Sequence, residues 1–161
     1  MYDLTALEGP IATRSMHHAG IVVTDLDRSV EFYTRAFGAE VELRIDDMRD
    51  PRIAEMHELD DELMSLAILR IGETRFELVK FTEPEGRPND RRGYDVGVAH
   101  LAFAVDDVED AYARLSAAGV HFGRPPVHMT EGPATGLVLA YARDPDGIQV
   151  ELIGEEPAPS S

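Results

Sequence analysis

The sequence predicts an α+β chain built from two βαβββ modules, and three observations carry that prediction. The first is an internal repeat: His18-Ala19-Gly20-Ile21-Val22-Val23-Thr24-Asp25-Leu26-Asp27 is echoed 82 residues later by His100-Leu101-Ala102-Phe103-Ala104-Val105-Asp106-Asp107-Val108-Glu109. A self-similar period marks one structural unit used twice. The second is a change of apolar period after each copy, from strand-like to helical, closed by a glycine. The third is a pair of strand, turn, strand segments ending on the tetrads Phe76-Glu77-Leu78-Val79 and Val150-Glu151-Leu152-Ile153.

Taken in order, residues 1–15 mix small, polar and scattered apolar side chains without periodicity and read as a tail. Module 1 spans 16–81. Its first strand alternates, so His18 shares a face with Gly20 and Val22 while Ile21 and Val23 face the helix-packed side. Leu26, Val30, Tyr33 and Phe37 then fall at helical spacing, with Asp25 or Asp27 as N-cap and Gly38 as the left-handed stop. An insertion at 46–64, rich in acids and carrying a proline, reads as an excursion over the surface or over a site. Leu66 to Val79 closes the module as a hairpin. A Pro-, Gly- and charge-rich linker covers 82–97.

Module 2 spans 98–154. His100 shares its face with Ala102 and Ala104, opposite Leu101, Phe103 and Val105. Val108, Tyr112, Leu115 and Ala118 mark the helix, with Asp106 or Asp107 before it and Gly119 after it. Asp144-Pro145-Asp146-Gly147 supplies the turn of the last hairpin. Residues 155–161 read as a disordered tail.

Composition excludes several classes of function. Fifteen basic and 31 acidic residues leave a net charge of −16, which repels phosphate backbones and anionic lipid, so nucleic-acid and membrane partners are not expected. No apolar run suits a bilayer and the N-terminus is no signal peptide, which predicts a cytoplasmic protein. The absence of cysteine removes disulfides, thiolate metal sites and Cys nucleophiles together. Any metal must be held by His and carboxylates.

Both histidine faces are lined by small residues, which leaves room above them. Glu77 and Glu151 sit among apolar strand neighbours, where a carboxylate without a partner is costly. Pairing each Glu with the His of its own module gives spacings of 59 and 51 residues. Those are far too long for a local helix motif, so such groups meet only through the fold.

These motifs, His-x-[Gly/Ala]-[Ile/Phe] at His18 and His100, Asp25-Leu26-Asp27-x-Ser29-x-x-Phe32-Tyr33, and Asp144-Pro145-Asp146-Gly147-x-x-Val150-Glu151-Leu152, resemble the vicinal oxygen chelate superfamily over His18 to Ile153. That superfamily includes glyoxalase I, methylmalonyl-CoA epimerase, extradiol dioxygenases, and the fosfomycin and bleomycin resistance proteins. The resemblance implies paired modules forming an open cupped mixed sheet, helices on its outer face, around one divalent metal ion. It implies His18, Glu77, His100 and Glu151 as the ligands, with Glu77 or Glu151 also serving as catalytic base. Two imidazoles and two carboxylates neutralise a 2+ ion and leave positions for oxygen ligands of a substrate, without selecting among Zn, Ni, Co, Mn and Fe. A homodimer is expected by analogy, with the site built in one chain or across two.

Other candidates carry less. His17 lies on the opposite strand face from His18 and reads as structural. His57, His121 and His128 fall in or near loops without a counterpart in the repeat and read as solvent-facing, although His57 could reach a substrate. The acids Asp46, Asp47, Asp50, Glu55, Glu58, Asp60, Asp61 and Glu62 lack an EF-hand pattern and read as a solvated flap. Tyr33, Phe37 and Tyr112 read as core. Gly86, Gly93 and Gly97 form no phosphate loop, and Arg91, Arg92 and Arg124 are candidates for an anionic substrate group.

The leading functional expectation is a metal-dependent lyase or isomerase moving a proton beside a carbonyl of a small molecule. An extradiol dioxygenase needs two His and one carboxylate, so a fourth ligand at Glu77 argues against it. A bleomycin-resistance-like binding protein fits the acidic charge, and the complete ligand set counts against it. Substrate identity stays open at this point.

Overall fold

The computed structural model describes residues 5, 9–88 and 90–156. Much of the tail expected at 1–15, together with Asn89 and residues 157–161, lies outside the described residues. Module 1 runs β1 (Ala19–Val22), α1 (Leu26–Phe37), β2 (Glu40–Met48), α2 (Pro51–Met56), β3 (Leu63–Ile71) and β4 (Thr74–Glu83). Module 2 runs β5 (His100–Ala104), α3 (Val108–Ala117), β6 (Val127–His128), β7 (Leu137–Arg143) and β8 (Gln149–Glu155). The sheets have corresponding orders, β1-β4-β3-β2 and β5-β8-β7-β6, with the first strand of each parallel to the last. The class is α+β, as expected, with two separate four-stranded mixed sheets that are not closed.

Local chemistry explains the element ends. The Asp25 carboxylate accepts the Arg28 N–H at 3.0 Å and Asp107 accepts the Asp110 N–H at 2.9 Å, each capping its helix. Gly38, at φ 67°, ends α1 in the left-handed conformation that lets its N–H reach back to Thr34. The insertion at 46–64 holds a helical turn: Asp50 caps α2, Pro51 opens it, and Ala54 is buried. Ile53 of that turn packs with Ile45, Met48 and Phe81 over Met64, Leu66 and Val79. β4 also runs two residues into the predicted linker, to Glu83, whose carboxylate is held by Arg49. At the other end, Glu155 pairs with Leu137 and the Glu156 N–H reaches the Gly136 carbonyl, so these residues belong to the sheet rather than the tail.

The modules share a core through the faces opposite the histidines. Phe37 stacks on Phe103 with centroids 4.2 Å apart, and Tyr33, fully buried, lies against both Phe76 and Phe103. Such a stacked pair contributes about 1 kcal/mol beyond its buried area. Polar bonds fix the register of the two halves. The Tyr33 hydroxyl donates to Asp144 Oδ2 at 3.0 Å. Asp146 accepts the Thr24 N–H at 3.1 Å, the Thr24 hydroxyl, and Arg28 at 2.7 Å. The turn of the last hairpin is thereby clasped to the start of α1.

His128 does not simply face solvent. Its Nδ1 bonds Glu156 and its Nε2 bonds Glu109, each at 2.9 Å, tying β6 to α3 and the C-terminal strand. Hydrogen bonds to Glu156 and then Glu109 raise its pKa above the ordinary imidazole value of 6.5. A raised folded-state pKa stabilises fully below the unfolded value and is lost as pH climbs through the folded one. The melting temperature of wild type should therefore exceed that of His128→Gln most at about pH 6 and least at about pH 9. An equal difference at both pH values would show that His128 is not charged in the fold.

Candidate functional site

Parallel pairing of first and last strands builds each half of the site. Gly20 stands opposite Glu77, and Ala102 opposite Glu151, so the residue beside each carboxylate is small. The side chains at 18, 20 and 22, like those at 100, 102 and 104, project from the sheet face away from the shared core. His18 Nε2 lies 3.5 Å from Glu77 Oε2, and His100 Nε2 lies 3.1 Å from Glu151 Oε2. The repeat thus yields the same pair twice, through the same imidazole nitrogen.

These pairs fit a divalent ion. Two ligands of one ion with bonds of about 2.1 Å stand roughly 3.0 to 3.4 Å apart, the spacing expected of neighbouring positions in octahedral or tetrahedral shells. Each pair alone provides two donors. Among the described residues no three His, Cys, Asp or Glu side chains converge as a metal-holding group, so the chain does not bring its four candidates together. Apolar residues of both sheets pack on Tyr33 and Phe37 of α1, and each His–Glu pair lies on the other face of its own sheet.

The surroundings of the pairs differ. His17 Nδ1 is 2.7 Å from His18 Nδ1, so the neighbour read as turned away instead touches the candidate ligand. With Nδ1 engaged, His18 keeps Nε2 for the carboxylate side, the kind of outer contact that orients metal-binding imidazoles. In module 2, Tyr141 pairs with Glu151 across β7 and β8, and its ring lies 5.8 Å from His100. Burial first, and then the neighbouring Glu151 carboxylate, raise the Tyr141 pKa. Module 1 has Ile68 at the matching place, opposite Glu77. Tyr141 was not singled out from sequence; counting register back from the Asp-Pro-Asp-Gly turn would have placed it beside Glu151.

Other expected groups are accounted for. Arg92 is bonded to Asp95 and lies over the Tyr94 ring at 4.5 Å, while Arg91 bonds the Val96 carbonyl. A groove of about 830 Å³ between α1 and α3 contains none of the four candidate ligands. Glu62, assigned to a solvated flap, is buried with 1% exposure, because β3 begins beside it and draws it under His57. No helix among the described residues is long and apolar enough to cross a membrane.

Comparison with known proteins agrees with the repeat. The chain is 35% identical over 143 residues to a 2-epi-5-epi-valiolone epimerase of an Actinomyces species, covering 86% of this chain and 78% of that protein. It is 32% identical to a lactoylglutathione lyase of Arabidopsis thaliana over 91% of this chain, but spans only 46% of that longer relative. A glyoxalase family protein from Bacillus cereus superposes with a TM-score of 0.77, covering 94% of this chain and 99% of that one at 22% identity, which speaks for the fold alone. The model of the Glyoxalase/Bleomycin resistance protein/Dioxygenase superfamily matches residues 15–152, nearly the whole folded part, and the chain belongs to that superfamily.

Proposed function

We propose that this chain is a divalent-metal-dependent lyase or isomerase that moves a proton beside a carbonyl of a small-molecule substrate. We further propose that its site is completed in a homodimer, module 1 of one copy facing module 2 of another. The observation that carries the reading is the duplicated His–Glu pair, equivalent in register and turned outward in both modules. Relatives named as an epimerase and a lactoylglutathione lyase support the reaction type.

His18, Glu77, His100 and Glu151 would hold the ion, which when bound supplies Lewis acidity to the carbonyl oxygen. The chain's own residues do the rest. One of the two carboxylates, Glu77 or Glu151, takes the proton from the carbon next to the carbonyl and returns it to carbon or to the neighbouring oxygen. Tyr141 beside Glu151, where module 1 places Ile68 beside Glu77, makes the surroundings of the two glutamates inequivalent. Outward-facing Gly20, Ala102 and Ala104 leave the substrate space to approach.

Elemental analysis of untagged protein tests the reading. Wild type is expected to retain divalent metal through dialysis, and His100→Ala to lose most of it, with solvent deuterium exchange into 2-oxo compounds falling in parallel. Unchanged metal content in His100→Ala would overturn the assignment.

A further inference from the structure

The side chains one strand step before each glutamate differ between the modules. Strand pairing sets Arg70 opposite Arg75 in module 1 and Arg143 opposite Gln149 in module 2. Arg75 and Gln149 each stand two residues before a candidate ligand, Glu77 or Glu151, and alternation keeps all four side chains on the His–Glu face of their sheets. Arg70 and Arg143 both donate to the carbonyl of a turn glycine, Gly72 at 2.9 Å and Gly147 at 3.0 Å. Beyond that shared bond the modules part. Glu40 and Glu42 hold Arg70, and Glu42 grips Arg75 through two hydrogen bonds, so module 1 neutralises its own cations. Arg143 has no carboxylate partner among the described residues, and the Gln149 amide has no hydrogen bond to them.

We propose that Arg143 and Gln149 bind the carboxylate of a substrate whose carbonyl is held at the His100–Glu151 pair. This rests on the preceding reading only in taking that pair as the place where the carbonyl binds.

The chain carries 31 acidic and 15 basic residues, so a half-buried arginine left without an acid is an informative exception. Gly147 occupies one nitrogen of the guanidinium, and its remaining N–H groups are free to meet a planar carboxylate, the anion such a fork fits best. The Gln149 amide adds one more donor beside it. That amide is also placed against the metal-ligand pair, because Gln149 stands opposite His100 in the parallel ladder of β5 and β8.

The linker supplies a wall. A Cβ added to Gly93 would lie 2.5 Å from Gln149 Oε1, so the chain passes directly over the amide. The passage is fixed by a turn in which the Arg92 N–H reaches the Asp95 carboxylate at 2.8 Å and the Asp95 N–H reaches the Arg92 carbonyl at 2.9 Å. Gly93 is not in the left-handed region, so an alanine there meets Gln149 rather than backbone strain.

Strand spacing sets the size of the ligand. Arg143 stands about 5 Å from Gln149 and about 8 Å from Glu151 on the diagonal, backbone to backbone. Less a hydrogen bond of about 3 Å at the carboxylate end, that span suits a carboxylate roughly three or four bonds from the carbonyl carbon. A carboxylate directly attached to the carbonyl is too close to reach Arg143.

Calorimetric titration of the metal-loaded protein with levulinate (4-oxopentanoate) and with 2-pentanone, the same chain length without the charge, tests this. Wild type should bind levulinate about tenfold or more tighter than 2-pentanone, the size of a charge-assisted bond. Arg143→Gln should bring that ratio close to one, and Arg143→Lys should restore part of it. Gln149→Leu should lower it about fivefold. Because the Gln149 amide bonds nothing in the fold, its replacement keeps the test open even if the Arg143 variants loosen their turn. Gly93→Ala should weaken levulinate in wild type and have no effect in a Gln149→Ala background, where the added methyl finds room; an equal loss in both backgrounds overturns the role of the amide. Metal content in the same samples separates the two readings. A ratio unchanged in Arg143→Gln that still holds metal overturns this proposal and leaves the metal reading standing. An Arg143-dependent ratio in protein that holds no metal does the reverse. No preference for levulinate in wild type, or displacement of levulinate by inorganic phosphate and not by acetate, overturns the carboxylate class.

Discussion

Mixing His18→Ala chains with His100→Ala chains, each inactive alone, is expected to restore about a quarter of wild-type activity if the site is shared between copies of the chain. Each parent dimer has a damaged ligand set in both sites and should be reduced on the order of a hundredfold or more. In a mixed dimer one site collects both losses, while the other joins an intact His18–Glu77 pair to an intact His100–Glu151 pair. Random exchange makes about half of the dimers mixed, each with one working site of two, hence the quarter. The measurement is proton exchange after co-refolding, with native mass spectrometry to count mixed dimers. Mixed dimers without recovered activity or metal would place the complete site in one chain. The expectation follows from geometry: the pairs sit on two sheets whose apolar faces share Phe37, Phe103 and Tyr33, and among the described residues no third ligand joins either pair.

Much of this was readable from the residues, for reasons that differ by element. Strand and helix assignments were legible because the period changes from two to 3.6 at Asp25 and again at Asp107, where a capping carboxylate fixes the helix start. The His–Glu pairs were legible because duplication placed the same residue types at the same step of each module. What stayed hidden depended on register and on contacts between modules. Tyr141 reaches Glu151 only through antiparallel pairing of β7 with β8, and His17 reaches His18 because β1 begins only at Ala19, so strict alternation does not yet govern its ring. Glu62 resembled its acidic neighbours in sequence, yet the chain turns it inward where Asp60 and Asp61 stay exposed. Local composition cannot distinguish a carboxylate facing water from one buried behind a histidine.

Replacing Asp144 by Ala is expected to be the most damaging single change to stability away from the metal-ligand pairs. Asp144 was legible as a turn residue, and its Oδ1 does accept the N–H groups of Asp146 and Ile148 at 2.9 and 2.8 Å. Its Oδ2 meanwhile accepts the hydroxyl of Tyr33, a fully buried side chain from the other module. Burial pushes the Asp144 carboxyl up, while bonds from Ile148, Tyr33 and Asp146 draw it down, so the site tolerates the charge only because its donors are in place. The variant leaves the Tyr33 hydroxyl without an acceptor inside an aromatic cluster and loosens the turn that carries Asp146 to Thr24 and Arg28. Together these losses should cost about 3 kcal/mol, lowering the melting temperature by roughly 6 to 12 °C in a chain of this length. Tyr33→Phe, which keeps the packing and removes only the donor, should cost about 1 to 2 kcal/mol. The double variant should cost less than the sum, because both single changes remove the same bond. Urea denaturation of the four proteins provides the cycle; strict additivity would mean that the Tyr33–Asp144 bond contributes nothing. A metal titration on the same variants carries the argument to function. The clasp sets the angle between the two modules, and a shared site requires the His18–Glu77 face and the His100–Glu151 face to meet a partner at that angle. Asp144→Ala should therefore weaken metal binding as well as folding, although Asp144 lies in the turn after β7 and is none of the four ligands.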